Sequence, residues 1–419
     1  MKTNSDYNDP IFYIDGELLG NFIRSNDSSV IGYGYEWENE KVFHIHFVPL
    51  EHSFGIQHKV SIAKKGAVHI EDTTLKIDIG EDGTVKCGDT EVILIPSKEN
   101  LYCRNKGLIE LDILSQKRVL IIGLGSGGSP IAVELAKAGV GQFVLADFDR
   151  VELHNLSRHI CTTNDLGRLK TDAVAEAIKG KNPYAIVEKL PIDINKNLDI
   201  LEEEILKADL TLCCTDNNSS RFNTSDLLIK LKKTGLFGRA ITRAEGGDVF
   251  IYRPGDACYF CLIGNDWYDQ NNEEITNLES AKRSGMLPAY VSEDDAEAFV
   301  QVGLGADIEP INNMMVKLAL VELSKGTNSG ISSLEEEFKY NYYFWVNRRE
   351  RQYVNWGSFT NTDCMPTIMK WYGMNIDRES DCNVCNAETA LKVDTEVLES
   401  MNLLDTSNLS DIDMSDFSL

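Results

Sequence analysis

Residues 118–130 read RVLIIGLGSGGSP, and this stretch decides the fold of the chain. The apolar run Arg118–Ile122 predicts a buried strand, and apolar residues at helical spacing over residues 130–138 predict a helix. The glycines between them let backbone N–H groups approach a phosphate at a helix N-terminus, where the helix dipole also favours an anion. By itself such a loop suits a dinucleotide or ATP. The nucleotide-binding residues expected in this loop are Gly123, Gly125, Ser126, Gly127 and Gly128.

The alternation of strands and helices continues beyond this loop. Further strands are predicted at residues 143–146, 185–190 and 209–214, and a helix at residues 170–179. This rhythm implies an α/β fold, Rossmann-like, with a mostly parallel sheet covered by helices on both faces. A later helix is predicted at residues 310–323, with Pro310 in its first turn and Met315 and Leu318 on its apolar face.

The length of 419 residues suggests two to three domains. Residues 1–97 are predicted to form a smaller β-rich N-terminal accessory domain, because they contain alternating strands and a hairpin with its turn at Gly88 and Asp89. Residues 98–393 hold the α/β domain. Residues 394–419 contain seven acidic side chains and neither lysine nor arginine, which predicts a mobile tail.

The chain is strongly acidic, with 41 Lys and Arg against 66 Asp and Glu and a net charge of −25. This balance argues against binding of nucleic acid or of an anionic membrane over a broad face. The sequence has neither an apolar stretch of membrane-spanning length nor an apolar N-terminal signal, so we expect a cytoplasmic protein. In that compartment its ten cysteines indicate metal ligands or catalytic thiols rather than disulfides.

Charged and amide side chains follow the second and fourth predicted strands. Asp147 comes 24 residues after Gly123, where a carboxylate can bind ribose hydroxyls. A dehydrogenase does not need two cations and an additional acid around its cofactor, whereas phosphoanhydride chemistry does, since cations neutralise phosphate charge and an aspartate can hold Mg²⁺. The set consists of Asp147, Asp149, Asn155, Arg158, Lys170, Asp216, Asn217 and Arg221.

In this order, the motifs closely resemble those of the ThiF/MoeB/ubiquitin-activating superfamily. The resemblance rests on the glycine loop, the Asp-Phe-Asp at 147–149, Asn-Leu-Ser-Arg at 155–158, Gly-Arg-Leu-Lys at 167–170 and Cys-Thr-Asp-Asn at 214–217. It covers roughly residues 100–325 and again residues 382–385, and it implies a ThiF-type adenylation domain. Members adenylate the C-terminal glycine carboxylate of a small ubiquitin-like protein, or of a peptide, with Mg-ATP.

The resemblance also implies roles for individual residues. Asp147 and Asp149 would lie near the ribose, Asn155, Arg158 and Lys170 would contact the triphosphate, and Asp216 would hold magnesium.

Tyr-Cys-Arg-Asn at 102–105 resembles the family's Tyr-x-Arg-Gln, with Asn105 in place of glutamine. Its arginine, here Arg104, reaches into the site of the other subunit, which implies a homodimer. A carboxylate nucleophile needs no general base, so this chemistry depends on positioning and on cations.

Two Cys-x-x-Cys pairs, Cys258 with Cys261 and Cys382 with Cys385, predict a structural Zn²⁺ site. The 120 residues between the pairs indicate a clip that joins the end of a domain to its middle. Many members of the family carry such a zinc. A redox pair or unligated thiols are the alternatives.

Ubiquitin-activating members transfer the activated carboxylate to a cysteine, usually in the segment after the first zinc pair. Residues 262–309 contain no cysteine, which leaves Cys364 as the first candidate and Cys161 as the second. Reactivity requires exposure and a low pKa. The sequence therefore predicts either adenylation alone or adenylation followed by transfer through Cys364.

The expected partners are a small ubiquitin-like or sulfur-carrier protein with a C-terminal glycine and, if a thioester forms, a conjugating enzyme. Three alternatives remain open: a peptide-adenylating enzyme of natural-product biosynthesis, an NAD-dependent Rossmann oxidoreductase and a non-catalytic scaffold. The cations and Asp216 argue against the oxidoreductase, and the complete motif set argues against the scaffold.

Overall fold

The computed structural model describes residues 9–37, 41–50, 55–95, 101–241, 244–263, 303–347 and 368–386. The chain divides into two units, Met1–Arg104 and Asn105–Leu419. Cys364, the acidic residues 394–419 and most of the segment 262–309 lie outside the described residues. Among the helices that the structure does describe, none is both long enough and apolar enough to cross a membrane.

The first unit is a closed seven-stranded barrel with strand order β1-β3-β2-β4-β5-β6-β7, in which β7 pairs back onto β1. The predicted hairpin is confirmed, with Gly88 at a φ of +60° in the turn between the last two strands. The strands are β1 Ile11–Asp15, β2 Ser29–Trp37, β3 Val42–His46, β4 Ile56–Lys64, β5 Leu75–Ile79, β6 Val85–Cys87 and β7 Thr90–Ile95.

One helix in this unit, α1 (Gly16–Arg24), was not expected from the β-rich pattern. Asp15 begins it, because its carboxylate accepts hydrogen bonds from the backbone N–H groups of Glu17 and Leu18. Leu19 and Phe22 on its inner face are buried in the barrel core.

The second unit contains an eight-stranded mixed sheet in the order β10-β9-β8-β11-β12-β13-β14-β15. Neighbouring strands pair in parallel from β10 to β12 and antiparallel from β12 to β15. The larger, parallel part of the sheet agrees with the predicted mostly parallel sheet. The strands are β8 Arg118–Ile122, β9 Gln142–Ala146, β10 Ile186–Leu190, β11 Leu210–Cys213, β12 Gly235–Ala240, β13 Gly246–Tyr252, β14 Tyr342–Val346 and β15 Lys370–Met374.

Helices cover both faces of this sheet. Alternate residues of β8 enter different cores: Val119 and Ile121 pack on one face, and Leu120 and Ile122 on the other. The helices are α2 Leu111–Leu114, α3 Gly128–Ala138, α4 Lys170–Lys181, α5 Leu198–Lys207, α6 Asn218–Leu231, α7 Tyr259–Ile263 and α8 Gly305–Leu323.

Helix α8 begins earlier than the sequence pattern predicted. It starts at Gly305, so Pro310 lies inside the helix rather than in its first turn. The apolar stripe placed the body of the helix correctly, since Met315, Leu318 and Val321 are buried. The helix begins five residues before the predicted start, and these residues extend it to the segment that carries Arg158.

The strand order identifies the edge of the sheet at the carboxyl ends of the parallel strands as the expected ligand site. The order in which strands are added reverses between β8 and β11: β9 and β10 lie on one side of β8, and β11 and β12 lie on the other. In open α/β sheets, ligands bind beyond the carboxyl ends of the strands at such a point. The glycine loop follows β8 there, and Asp216 follows β11.

Candidate nucleotide site and cysteine cluster

The glycine loop between β8 and α3 is shaped by two positions that have no room for a side chain. Gly123 has a φ of +83°, and a Cβ there would lie 3.0 Å from the backbone of Cys214 and Thr215. A Cβ on Gly128 would lie 1.9 Å from the carbonyl oxygen of Gly123. A Cβ on Gly125 would meet nothing within 4 Å, so this part of the loop faces open space.

Three successive backbone N–H groups of the loop indicate an anion-binding site. In the described part of the chain, the N–H groups of Gly125, Ser126 and Gly127 donate to no backbone carbonyl. They precede the first turn of α3, where the helix dipole is positive. Successive N–H groups of this kind at a helix N-terminus bind phosphate. The loop therefore fits the triphosphate of a nucleotide.

Gly128→Ala is expected to disrupt this loop. The new methyl group would meet the carbonyl of Gly123, and because the backbone of one tight turn fixes the positions of both groups, the turn must open. We expect a loss of about 1–3 kcal/mol in the free energy of unfolding together with a loss of nucleotide binding. Chemical denaturation and calorimetric titration with ATP measure the two effects.

Gly180→Ala is the matched control for that substitution. Gly180 lies in α4, and a Cβ added there would meet nothing within 4 Å, so alanine should stabilise the helix by roughly 0.5–1 kcal/mol. If Gly128→Ala behaved like Gly180→Ala in both measurements, the close approach of the loop to itself would be wrong.

Asp147, at the end of β9, holds the glycine loop. One of its carboxylate oxygens accepts the N–H of Leu124 at 2.7 Å and the other accepts the N–H of Asp149 at 2.8 Å. Burial raises the pKa of Asp147, while Lys170 and the two N–H groups act in the opposite direction. Both oxygens are thus engaged within the protein. This geometry favours a supporting role for Asp147, whereas Asp149, the other predicted ribose ligand, is exposed at the same strand end.

Lys170 begins α4 and is held at the same strand end. Its Nζ lies 2.7 Å from a carboxylate oxygen of Asp149, and its side chain is only 11% exposed. The backbone N–H of Lys170 also donates to the carbonyl of Asp149. The predicted phosphate ligand and the predicted ribose ligand are therefore fixed to each other.

Arg158 and Asp216 lie within electrostatic range of each other. Burial lowers the pKa of Arg158, and the carboxylate of Asp216 opposes this shift. Asp216 itself is exposed beyond the end of β11. The start of α8 packs against the arginine, because a Cβ on Gly305 would lie 3.4 Å from the Cα of Arg158. The structure thus places a cation and an exposed carboxylate together at the predicted edge of the sheet.

Three further predicted site residues make contacts within the protein. The Oδ1 of Asn217 accepts the N–H of Ser220 and so begins α6. Arg221, which is 2% exposed, donates from Nη2 to the carbonyl of Thr215. The Oδ1 of Asn155 accepts the N–H of Glu152 at 2.9 Å. These contacts favour roles in holding the turns that carry Arg158 and Asp216.

Two residues at the loop were not found from the sequence. His159 contacts the carbonyl of Leu124, with 2.6 Å between Nε2 and the oxygen. Asn312 of α8, which is 3% exposed, donates from Nδ2 to the carbonyl of Ser126 at 3.0 Å. The available signal for Asn312 was an amide on the otherwise apolar buried face of the helix. For His159, the sequence offered no indication of a role at the loop other than its position directly after Arg158.

The four predicted zinc ligands come together although the two pairs are far apart in sequence. Their sulfur atoms lie within 4.8 Å of one another. Neighbouring Sγ–Sγ distances are 3.7 Å for Cys258 to Cys261 and to Cys382, and 3.6 Å for Cys261 to Cys385. Tetrahedral zinc with Zn–S bonds of about 2.3 Å requires sulfur atoms roughly 3.8 Å apart, whereas a disulfide requires about 2 Å. The cluster therefore fits a closed zinc site.

The second candidate for a transfer cysteine is buried. Cys161 is 8% exposed, and burial raises the pKa of its thiol to about 12. A thiol of this kind is a poor nucleophile at neutral pH. Burial likewise raises the pKa of Cys213 and Cys214, as expected for inert thiols.

Arg104 is exposed at the end of the first unit, in the 3₁₀ helix Cys103–Asn105. In the second unit, the side-chain amide of Asn105 donates to the carbonyl of Lys137 at 3.2 Å.

Comparisons with known proteins identify the family of the chain. Residues 99–343 match the model of the ThiF family. The sulfur carrier protein ThiS adenylyltransferase of Escherichia coli (strain K12) is 34% identical over 171 residues, which are 40% of this chain and 64% of that protein. The molybdopterin-synthase adenylyltransferase of the same strain is 37% identical over 155 residues, 36% of this chain and 60% of that protein.

The chain thus spans about 60% of the length of these curated relatives. A crystal structure of E. coli MccB superposes with a TM-score of 0.49 and 18% identity, covering 69% of this chain and 73% of that one.

Proposed function

Because this chain belongs to the ThiF family, we propose that it is an ATP-dependent adenylyltransferase that activates the C-terminal carboxylate of a small ubiquitin-like or sulfur-carrier protein. The observation that carries the proposal is the row of N–H groups at Gly125, Ser126 and Gly127 beside Arg158 and Asp216. An anion-binding loop with a cation and an exposed carboxylate suits phosphoanhydride chemistry. The names of its relatives supply the class of substrate.

The proposed reaction joins a carboxylate to AMP. An oxygen of the substrate carboxylate attacks the α-phosphorus of ATP, the bond to the β-phosphate oxygen breaks, and pyrophosphate leaves with that electron pair. The N–H groups of the glycine loop, Arg158 and Lys170 hold the phosphates, and Asp149 binds the ribose. Magnesium, held by Asp216, would neutralise charge on the phosphates. Each residue positions or compensates charge, and none has to remove a proton.

Zinc is proposed as a second metal, bound by the four cysteines. Four thiolates leave no open coordination position, so its role is structural. Thioester transfer, a conjugating enzyme and a cytoplasmic location belong to the same proposal, with Cys364 as the acceptor if transfer occurs.

The experiment that tests the proposed function is ATP–pyrophosphate exchange with small β-grasp proteins encoded beside this gene. We expect exchange that depends on a carrier ending in glycine and that is lost when this glycine is deleted. Exchange with a short peptide but with none of the carriers would instead support a peptide-adenylating enzyme. A protein that binds ATP yet exchanges with neither would contradict the proposal.

Complementation between two variants tests the proposed homodimer. Arg104→Ala and Asp216→Ala should each be inactive alone. If Arg104 acts in the site of the other subunit, each mixed dimer contains one intact site, and mixing equal amounts should restore roughly a quarter of wild-type exchange. Subunit exchange must be verified with tagged chains. Verified mixed dimers without activity would show that Arg104 does not act across subunits.

A further inference from the structure

His159 links the glycine loop to the segment that carries Arg158. Its Nε2 lies 2.6 Å from the carbonyl oxygen of Leu124, and its Nδ1 lies 3.1 Å from the backbone nitrogen of Cys161. A carbonyl can only accept a hydrogen bond and an amide N–H can only donate one. Nε2 must therefore carry the proton and Nδ1 must accept, which is the neutral imidazole in a single tautomer.

The bond to Leu124 also orients a phosphate-binding group. The carbonyl of Leu124 and the N–H of Gly125 belong to one planar trans peptide, so they point in opposite directions. When His159 fixes this carbonyl on one side, the N–H of Gly125 is directed to the other side, where it donates to no backbone carbonyl of the described residues. The N–H of Leu124 is fixed separately by Asp147 at 2.7 Å.

A second proton on His159 would break this arrangement. Nδ1–H would then face the N–H of Cys161, and two donors cannot form a hydrogen bond. The carboxylates of this region already have partners: Asp165 binds Arg168 at 2.6 Å, Asp149 binds Lys170 at 2.7 Å, and Asp147 accepts two backbone N–H groups. The cations Arg158, Lys170 and Arg168 lie in the same region.

We propose that His159 is a positioning residue for ATP: its neutral imidazole, held at Nδ1 by the N–H of Cys161, fixes the peptide between Leu124 and Gly125 through Nε2–H, and a second proton at Nδ1, which would face that N–H, displaces the ring from both contacts. The inference rests on the proposed nucleotide site and adds a pH dependence to it. Burial lowers the pKa of His159 and Lys170 acts in the same direction, while the bond to Leu124 and the charge of Asp165 oppose them. The neutral form is therefore favoured in the folded protein.

The sign of the pH dependence follows from this direction. The pKa of a histidine in an unfolded chain is about 6.5, and that of His159 is lower in the folded protein. Its contribution to stability is therefore complete above about pH 6.5 and is lost as the pH falls through the folded pKa. ATP affinity should decrease as the pH falls below the folded pKa of His159, because the displaced ring of the protonated protein no longer fixes the peptide that carries the N–H of Gly125.

Calorimetric titration with Mg-ATP between pH 8 and pH 5 tests the proposal on the full chain. The variant His159→Gln keeps a donor for Leu124 and does not titrate. At pH 8 it should bind ATP nearly as well as wild type, and by pH 5 wild type should have lost roughly tenfold more affinity than the variant. Comparison of the two proteins cancels the protonation of ATP itself. His159→Leu, which cannot donate, should bind roughly tenfold more weakly even at pH 8.

His154→Gln is the matched control, since His154 lies in the same segment, is 59% exposed and has its ring Nδ1 3.3 Å from the carboxylate of the exposed Glu152. It should reproduce the wild-type pH profile. Identical profiles for wild type and His159→Gln would overturn the proposal, and so would a wild-type affinity that rises on acidification relative to the variant. If wild type failed to bind ATP at pH 8, the nucleotide site itself would be wrong. Melting temperatures without ATP show whether His159→Leu is folded.

Discussion

Replacing Asp216 with alanine should reduce ATP–pyrophosphate exchange by roughly 100-fold or more, the usual effect of removing one group that stabilises charge in a transition state. Asp216 is exposed beyond the end of β11, so its loss creates neither a cavity nor a buried unpaired group. The unfolding free energy should therefore change little. The effect should appear in the rate of exchange, because the substitution removes the proposed magnesium ligand beside Arg158.

A second variant at the same position separates the effect of losing the negative charge of Asp216 from the effect of losing its oxygen ligands. Asp216→Asn keeps an oxygen ligand but not the negative charge, so we expect an intermediate rate that partly recovers at high magnesium concentration. Asp199→Ala, which removes an exposed aspartate in the first turn of α5, is the control for loss of one acidic side chain. If Asp216→Ala kept exchange within about threefold of wild type while Arg158→Ala abolished it, the magnesium role would belong to another residue.

Local sequence patterns predicted the elements that build the nucleotide site. The strand Arg118–Ile122, the glycine loop and the helix after it are specified by neighbouring residues: apolar side chains for a buried strand, and glycines where a Cβ would strike the backbone. The parallel pairing of the first strands followed from the alternation of strands and helices along the chain. Features of this kind depend on few long-range contacts and are legible in one sequence.

The divided roles of the polar residues could not be predicted in the same way. Asp147 and Asp149 are two residues apart and chemically identical, yet the first accepts two backbone N–H groups and the second is exposed. Which carboxylate is left accessible depends on how the glycine loop is placed beside the end of β9, where Leu124 donates to Asp147. The contact of His159 with Leu124 spans 35 residues and depends on the same fold, as does that of Asn312 with Ser126 across 186 residues.

Removing zinc should produce the largest loss of stability. The clip joins Cys258 and Cys261, at the start of α7, to Cys382 and Cys385, beyond β15. A structural zinc site contributes about 10 kcal/mol in small domains, and losing even a third of that lowers the melting temperature of a domain this size by roughly 10 °C. Calorimetry before and after chelation, with zinc content measured by mass spectrometry, tests this expectation.

Cys258→Ser should reproduce the effect of chelation. The sulfur of Cys258 is fully buried and contacts those of Cys261 and Cys382, so its loss leaves three ligands and an open position. Cys103→Ser, which changes an exposed thiol, is the control and should leave both zinc content and melting temperature unchanged. Purified wild type that holds no zinc and melts at the same temperature with chelator would show that the cluster is a set of free thiols.

The loss of zinc should also lower activity at the nucleotide site, although the cluster holds no catalytic group. Tyr259, next to Cys258, packs edge-on against Phe222 of α6 with ring centroids 5.5 Å apart, and Phe260 packs on the same ring at 4.3 Å. Phe222 lies one turn after the start of α6, which follows directly on Asp216 and Asn217. If the clip opens, α6 loses this packing, and the turn before it that carries Asp216 becomes less ordered. Chelated protein held well below its melting temperature should therefore exchange more slowly than the zinc-loaded protein, and the rate should return when zinc is restored.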